Sequence, residues 1–177
     1  RELDTSTLPV SELPWIRAHA ISGNGDVVLG TSNFQYAYAW VKEGKAINLT
    51  ERYAAEPAYA VSFNGRRVAL SLFDTTTYQG KGVALWDSAG GLTRIGSLKW
   101  CKDVPYVSWF AGDLCKSMSS EEIEAQVGMP PLEIFDMSDD GSILVGRSGS
   151  FFTGFVGALW IERIGWMTWD DFFRKQG

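Results

Sequence analysis

The most constraining feature of this sequence is a short segment that occurs three times. Its copies occupy residues 18–25, 58–65 and 134–141, and each ends in a serine, two further residues and a glycine. Each copy is followed by an apolar run and then by a tryptophan, at Trp40, Trp86 or Trp160. Such a recurrence indicates a repeat architecture, in which each copy forms one supersecondary unit.

The spacing of the copies indicates the kind of unit. The aligned serines Ser22 and Ser62 are 40 residues apart, whereas Ser62 and Ser138 are 76 residues apart. We attribute the longer interval to an insertion over about residues 98–131. Without the insertion, the period lies near the roughly 40–45 residues of a four-stranded propeller blade.

Within each copy, alternating apolar residues and turn residues predict four antiparallel strands. In the first copy the predicted strands are residues 17–22, 27–31, 34–40 and 46–49, with turns at 23–26 and 43–45. In the other copies they are residues 58–62, 67–72, 82–87 and 92–96, then 132–138, 142–147, 155–161 and 163–167. Four antiparallel strands joined by short turns are typical of one blade of a β-propeller.

The predicted fold is therefore all-β, with about three four-stranded propeller blades in a partial ring. The blades cover about residues 16–49, 58–97 and 132–168 of a single propeller-like domain, or part of one, over residues 1–177. Short helices are predicted beside the blades, at residues 50–56 with Thr50 as N-cap, and at 169–176 after Thr168. Inside the insertion, a capping box formed by Ser119 and Glu122 predicts a helix that ends near Val127.

The pattern resembles the HAF-repeat family of bacterial extracellular proteins. The family's repeat combines an Ile-Ser-x-Asp/Asn-Gly turn, a Val-Val-Gly strand and a His-Ala-Phe-x-Trp strand. The corresponding residues in this chain are 21–25, 27–30 and 36–40, with weaker matches at 83–86 and 157–160. The naming histidine is replaced by Tyr36, Gly82 and Val156. Over roughly residues 16–97 and 132–176, the resemblance implies a propeller-like, exported protein and brings no single activity.

The number of blades predicts a larger assembly. Closed propellers usually have about four to eight blades, and an open stack leaves strand edges and apolar faces in water. This chain has three copies, starts at Arg1, and carries residues 1–15 that resemble the tail of a preceding blade. We expect the ring to be completed by another polypeptide, by a further copy of this chain, or by sequence removed in processing.

Composition argues against two classes of partner. The chain has 16 Lys and Arg against 21 Asp and Glu, a net charge of -5, and no basic stripe that could bind nucleic acid. No apolar run approaches the about 18 residues that predict a membrane span. We therefore expect no nucleic acid, no membrane span and no cofactor.

The two cysteines lie inside the insertion. Cys101 and Cys115 would close a short loop in a Trp-rich, Gly-rich β chain, which favours a disulfide and an extracellular or periplasmic location. The alternative is two reduced thiols in a cytosolic protein.

Metal binding is not predicted. His19 is the only histidine, and it aligns with Tyr59 and Phe135, so we interpret it as a structural ring. One histidine excludes a His-based cluster within this chain, and no Cys/His spacing indicates zinc. The acidic pairs at 139–140 and 170–171 lack the spaced ligands of an EF-hand loop.

Two charges depart from the repeat. Asp136 replaces the alanines Ala20 and Ala60 of the other copies, and Arg147 replaces a threonine and a serine. Both flank the third hairpin, so we predict a structural ion pair between them, since buried charges usually have partners. The alternative is a polar group directed at a central channel.

The insertion is also rich in aromatic residues. Trp100, Tyr106, Trp109 and Phe110 predict either a platform that binds a glycan or a partner protein, or a local mini-core.

The predicted function is a non-enzymatic, exported structural or interaction module of a larger propeller. One alternative is a carbohydrate-binding propeller, whose binding would depend on Trp109. Another is a polysaccharide-acting enzyme that uses carboxylates such as Asp103, Asp113 or Asp136.

Overall fold

The computed structural model describes residues 4–6, 8, 16–32, 36–42, 44–56, 60–77, 79–87, 89, 91–105, 107–108, 112–150 and 154–177. These residues contain three four-stranded antiparallel sheets, and each sheet has its strands side by side in chain order. The predicted all-β class and its three four-stranded units are therefore confirmed. The start of the strands predicted at 34 and 58, and part of the turn at 43–45, lie outside the described residues.

One copy of the repeat forms one sheet. Sheet 1 consists of β1 (Arg17–Ile21), β2 (Val27–Ser32), β3 (Tyr36–Val41) and β4 (Ala46–Asn48). Sheet 2 consists of β5 (Ala60–Val61), β6 (Arg67–Phe73), β7 (Gly80–Asp87) and β8 (Leu92–Gly96). The insertion holds a small hairpin, β9 (Val107–Ser108) and β10 (Gly112–Asp113). Sheet 3 consists of β11 (Leu132–Met137), β12 (Ile143–Ser150), β13 (Gly154–Ile161) and β14 (Gly165–Thr168).

The recurring serine closes the first hairpin of each sheet. In sheet 2, Ser62 Oγ accepts a hydrogen bond from the Arg67 N–H and donates one to Asn64 Oδ1, both at 2.9 Å. Gly65 donates its N–H to the Ser62 carbonyl and has a φ of 69°, a left-handed value that favours glycine. The same bonds recur around Ser22 and Ser138. The turn geometry therefore explains why serine and glycine recur in the sequence.

The three sheets stack in one direction. We call the side of a sheet that faces the following sheet its front face, and the opposite side its back face. The front face of sheet 1, with Val27 and Leu29, shares a buried cluster with Val68 and Leu70 on the back face of sheet 2. The front face of sheet 2 shares a second cluster with the back face of sheet 3, around Leu144. The recurrent tryptophans Trp40, Trp86 and Trp160 all lie buried on back faces.

Hydrogen bonds between the turns of the first hairpins join neighbouring sheets at one end of their strands. The Asn24 N–H donates to the Phe63 carbonyl, and the Phe63 N–H donates to the Asp139 carbonyl, both at 3.0 Å. The side-chain amide of Asn24 also donates to the Asn64 carbonyl at 2.8 Å. Phe63 and Asp139 hold the same place in their copies of the repeat. The three turns therefore form a row in which each step follows the order of the sheets.

The insertion fills the space between sheets 2 and 3. Leu98, Trp100, Val104 and Ile123 are buried in the cluster that the two sheets share. A disulfide joins Cys101 to Cys115, which confirms the predicted pairing.

Two of the three predicted helices are confirmed closely. Helix α2 (Ser120–Val127) begins with the predicted capping box, in which Ser119 and Glu122 bond each other's backbone N–H groups. Helix α3 (Trp169–Gln176) follows its N-cap Thr168, whose hydroxyl accepts from the Asp171 N–H at 3.1 Å.

Helix α1 (Leu49–Tyr53) is shorter than the predicted 50–56 and begins earlier. Its N-cap is Asn48 rather than Thr50, because Asn48 Oδ1 accepts from the Glu51 N–H at 3.0 Å. The helix ends at Ala54, which has a φ of 54°, and Ala55 then bridges to Leu72 of sheet 2. Strand pairing with the next sheet therefore replaces the last turn that helix propensity predicts.

Candidate functional site: the front face of the third sheet

The front face of sheet 3 exposes large apolar side chains. Phe135 is 54% exposed, Phe155 is 41% exposed and Ile143 is 38% exposed. At the end of the chain, Phe173 of α3 is 61% exposed. Contiguous exposed aromatic and aliphatic side chains are typical of surfaces that bind another molecule.

The corresponding face of sheet 1 is fully covered. Val27 holds the place of Ile143 in the repeat, and it is 1% exposed, while its neighbour Leu29 is 0% exposed. Both are covered by sheet 2. The contrast between Val27 and Ile143 shows that no described sheet covers the front face of sheet 3.

Helix α3 repeats the position of α1. Leu49 of α1 directly follows the fourth strand of sheet 1 and is buried in the cluster shared with sheet 2. Trp169 directly follows the fourth strand of sheet 3, and its indole lies so close over Gly157 that a Cβ there would be 2.1 Å from Cδ1. Phe173 stacks on Trp169 with ring centroids 5.6 Å apart. These rings lie where, in sheet 1, the next sheet packs.

Arg147 lies at the centre of this face between two phenylalanines. Its guanidinium carbon is 4.1 Å from the centroid of Phe155 and 5.6 Å from that of Phe135. It also makes two 2.8 Å contacts with Glu133 Oε2, through Nε and Nη2. Arginine and aromatic side chains dominate the binding energy of many protein interfaces.

The predicted ion pair between Asp136 and Arg147 is wrong in its acidic partner. A β-bulge between Ile134 and Asp136 shifts the register, so that Asp136 lies opposite Val145 while Glu133 lies opposite Arg147. Asp136 instead accepts a hydrogen bond from the adjacent Met137 N–H at 2.8 Å. A bulge of this kind leaves little trace in a single sequence, so the pairing could not be read from spacing.

The aromatic residues of the insertion divide into two groups. Trp100 is buried between sheets 2 and 3, and its Nε1 donates to the Gly128 carbonyl at 2.8 Å, as the mini-core alternative predicted. Tyr106, Trp109 and Phe110 lie outside the described residues. The predicted platform therefore stays a prediction for those three residues.

His19 lies on an exposed part of β1 and forms a 2.8 Å hydrogen bond with Thr31 Oγ1 on the neighbouring strand. Partial burial and, to a lesser degree, the positive charge of Arg17 lower the pKa of His19 from its ordinary value. Among the described residues, no group of three or more His, Cys, Asp or Glu side chains could hold a metal ion.

Each carboxylate considered for catalysis has a local structural role. Asp103 Oδ2 accepts from the Lys99 N–H at 2.8 Å, and Asp113 Oδ1 accepts from the Cys115 N–H at 3.1 Å. Asp113 also pairs with Lys116 at 3.7 Å. These contacts stabilise turns and do not assemble a pair of carboxylates in one cleft.

A different pair of carboxyl groups borders a cavity of about 430 Å³ between sheets 2 and 3. Glu56 and Glu133 line it together with Ser71, Leu132 and Phe135. Desolvation and, to a lesser degree, the negative charge of Glu133 raise the pKa of Glu56. Sequence reasoning missed this site, because helix propensity placed Glu56 in a surface helix.

No protein-family model matches this sequence, and no curated protein is similar to it. Within the part of the chain that the structure describes, no helix is long and apolar enough to cross a bilayer.

Proposed function

We propose that this protein is a non-enzymatic, exported structural or interaction module, and that its three sheets are consecutive blades of a larger β-propeller. The observation that carries this proposal is the contrast between covered and uncovered front faces. The front faces of sheets 1 and 2 are buried by the following sheet, whereas that of sheet 3 presents Phe135, Phe155 and Arg147 to solvent.

Two further features support the proposal. The disulfide between Cys101 and Cys115 is compatible with an oxidising compartment outside the cytosol. The resemblance of the repeat to the HAF-repeat family implies the same location. Membership of that family is part of the proposal.

The experiment that tests the proposal is native mass measurement of the protein isolated from its source, with every polypeptide in the particle identified. We expect a particle larger than one 19.6 kDa chain. A stable monomer of that mass, with no tendency to associate, would contradict the proposal.

The cavity beside Glu56 favours a second candidate function, the binding or cleavage of a carbohydrate. Glu56, whose pKa is raised, and Glu133 both line this cavity, and glycosidases use two carboxyl groups of which one has a raised pKa. A glycan array probed with the wild-type chain and with Glu56→Gln tests this function. Loss of a glycan signal in the variant supports it, and the absence of any signal from the wild type counts against it.

A further inference from the structure

We propose that the front face of sheet 3 docks a fourth four-stranded sheet of the same repeat, through the tryptophan-bearing back face of that sheet, and that sheet 1 of a second copy is not the occupant. This inference rests on the proposed function, because it names the partner surface of the module. It commits to one face of the molecule and to one kind of partner.

The two interfaces inside the chain are the precedent for the docking. In each of them a front face packs on the back face of a sheet that carries the recurrent tryptophan, Trp86 in sheet 2 and Trp160 in sheet 3. The two contacts have the same direction, and residues of the insertion take part only in the second. A heterologous contact of this type can be repeated by the addition of a further unit of the same kind.

The row of hairpin turns extends toward the same position. Each step is a 3.0 Å hydrogen bond between the turns of consecutive sheets, from Asn24 to Phe63 and from Phe63 to Asp139. Asp139 holds the place of Phe63 in the repeat, so its backbone N–H corresponds to the donor of the second step. A fourth sheet in the same geometry places the carbonyl of its own turn opposite that N–H.

The bulky side chains of the face define the chemistry of the occupant. Arg147 lies between Phe135 and Phe155, and Trp169 lies over Gly157, so the centre of the face is already filled. The back faces of sheets 2 and 3 have small residues on their central strands, namely Ala84 in sheet 2 and Gly146 and Ala158 in sheet 3. A sheet whose back face is like those of sheets 2 and 3 brings both a small side chain and a further tryptophan, whereas sheet 1 carries Tyr38 at the position of Ala84 and Ala158.

The back face of sheet 1 is not free to act as this partner. Leu8 packs against Tyr38 and Trp40, and all three side chains are buried. Trp40 Nε1 also donates to the Asp4 carbonyl at 3.0 Å. A second copy could dock its sheet 1 only after these contacts had been broken, so a fourth sheet from another polypeptide segment fits better.

Hydroxyl-radical footprinting of the assembly isolated from its source, compared with the isolated chain, tests the inference. We expect labelling of Phe135, Phe155 and Phe173 to fall several-fold in the assembly, because a docked sheet excludes water from the face. Ile21 is exposed on β1 of sheet 1 and Ile164 is exposed in the turn between β13 and β14, so their labelling serves as an internal control.

A matched pair of variants adds a functional readout. Phe155→Ser is expected to weaken capture of the purified partner by about tenfold or more, as loss of a central aromatic contact does. Ile164→Ser removes a side chain that is more exposed, 65% against 41% for Phe155, from a turn, and it is expected to leave capture unchanged. Near-ultraviolet circular dichroism of both variants verifies that the chain remains folded.

The outcomes separate the two proposals. Protection of the three phenylalanines by a partner that carries the same repeat supports the inference. A partner that is a second copy docked through sheet 1 overturns the inference and leaves the proposed function intact. An assembly in which the three phenylalanines stay labelled overturns the inference and the propeller arrangement together. A particle with the mass of one chain overturns both.

Discussion

At the scale of single residues, the hydrogen-bonded serine turn is the feature that recurs in all three copies of the repeat. Ser62 is fully buried and satisfies two polar groups at once, the Arg67 N–H and Asn64 Oδ1. Ser138 makes the equivalent bonds at a more exposed site. Burial determines how much such a hydrogen bond contributes to stability, because a polar group left without a partner in the interior cannot form a hydrogen bond with water instead.

We therefore expect the two serines to differ in their contribution to stability. Ser62→Ala should lower the free energy of unfolding by about 1–3 kcal/mol, and Ser138→Ala by about 0.5–1.5 kcal/mol. Urea denaturation of both variants and the wild type measures the difference. Equal losses in the free energy of unfolding would show that burial does not determine how much the serine contributes to stability.

Asp140 gives the third turn a dependence on pH. Hydrogen bonds from Ser142 and Ser138 lower the pKa of Asp140 from 3.8 to about 2. Since the folded state favours the ionised carboxyl, its stabilising effect is complete above the ordinary pKa and is lost as the pH falls toward about 2.

The variant Asp140→Asn isolates this effect, because Asn24 and Asn64 already occupy the same position in the other turns. We expect the Tm of the wild type to exceed that of the variant near neutral pH, and the difference to shrink as the pH falls below about 4. Thermal melts over this range measure it, with Asp139→Asn as the control. A difference that does not change with pH would contradict the assignment.

At the scale of elements, the insertion is the one segment that interrupts the repeat, and it has its own cross-link. The disulfide joins cysteines that are 14 residues apart and closes a loop next to Trp100, which is buried between sheets 2 and 3. The insertion therefore contributes to the interface as well as to the surface.

We expect Cys101→Ala/Cys115→Ala to lower the free energy of unfolding by about 3 kcal/mol, the value for a loop of about 15 residues. The corresponding fall in Tm is about 6–12 °C for a chain of this size. Calorimetry of the variant and of the reduced wild type measures the loss. An unchanged Tm would show that the loop is ordered without the bond.

Contacts between elements of different sheets are also measurable. Arg67 of β6 pairs with Glu162 after β13 at 3.0 Å and donates to the Gly141 carbonyl at 3.3 Å. A double-mutant cycle with Arg67→Ala and Glu162→Ala should give a coupling of about 0.5–1 kcal/mol, because both side chains are partly exposed.

The control cycle uses Lys42 and Asp26, which pair at 3.4 Å within sheet 1; Lys42 is 59% exposed, against 32% for Arg67. We expect a coupling below about 0.5 kcal/mol for this pair. A larger coupling energy for the control pair than for Arg67 and Glu162 would argue against a stabilising ion pair between sheets 2 and 3.

At the scale of the whole molecule, local patterns predicted the sheets well and the site poorly. The turns at Ser22, Ser62 and Ser138 and the cap at Ser119 depend on residues close in sequence, so a single sequence reveals them. The partner of Arg147 and the cavity beside Glu56 depend on a bulge and on packing between sheets. Such long-range geometry leaves no periodic signal, which is why Glu133 was missed as the partner of Arg147.

The order of the strands has a consequence for how the protein is made. In each of the three main sheets the described strands lie side by side in chain order, and each sheet packs on the one that precedes it. During translation, sheet 1 can be complete before sheet 2 has left the ribosome, and its front face then serves as the template on which sheet 2 condenses. Synthesis and assembly therefore run in the same direction, and among these three sheets the template that forms last is the face that carries Arg147.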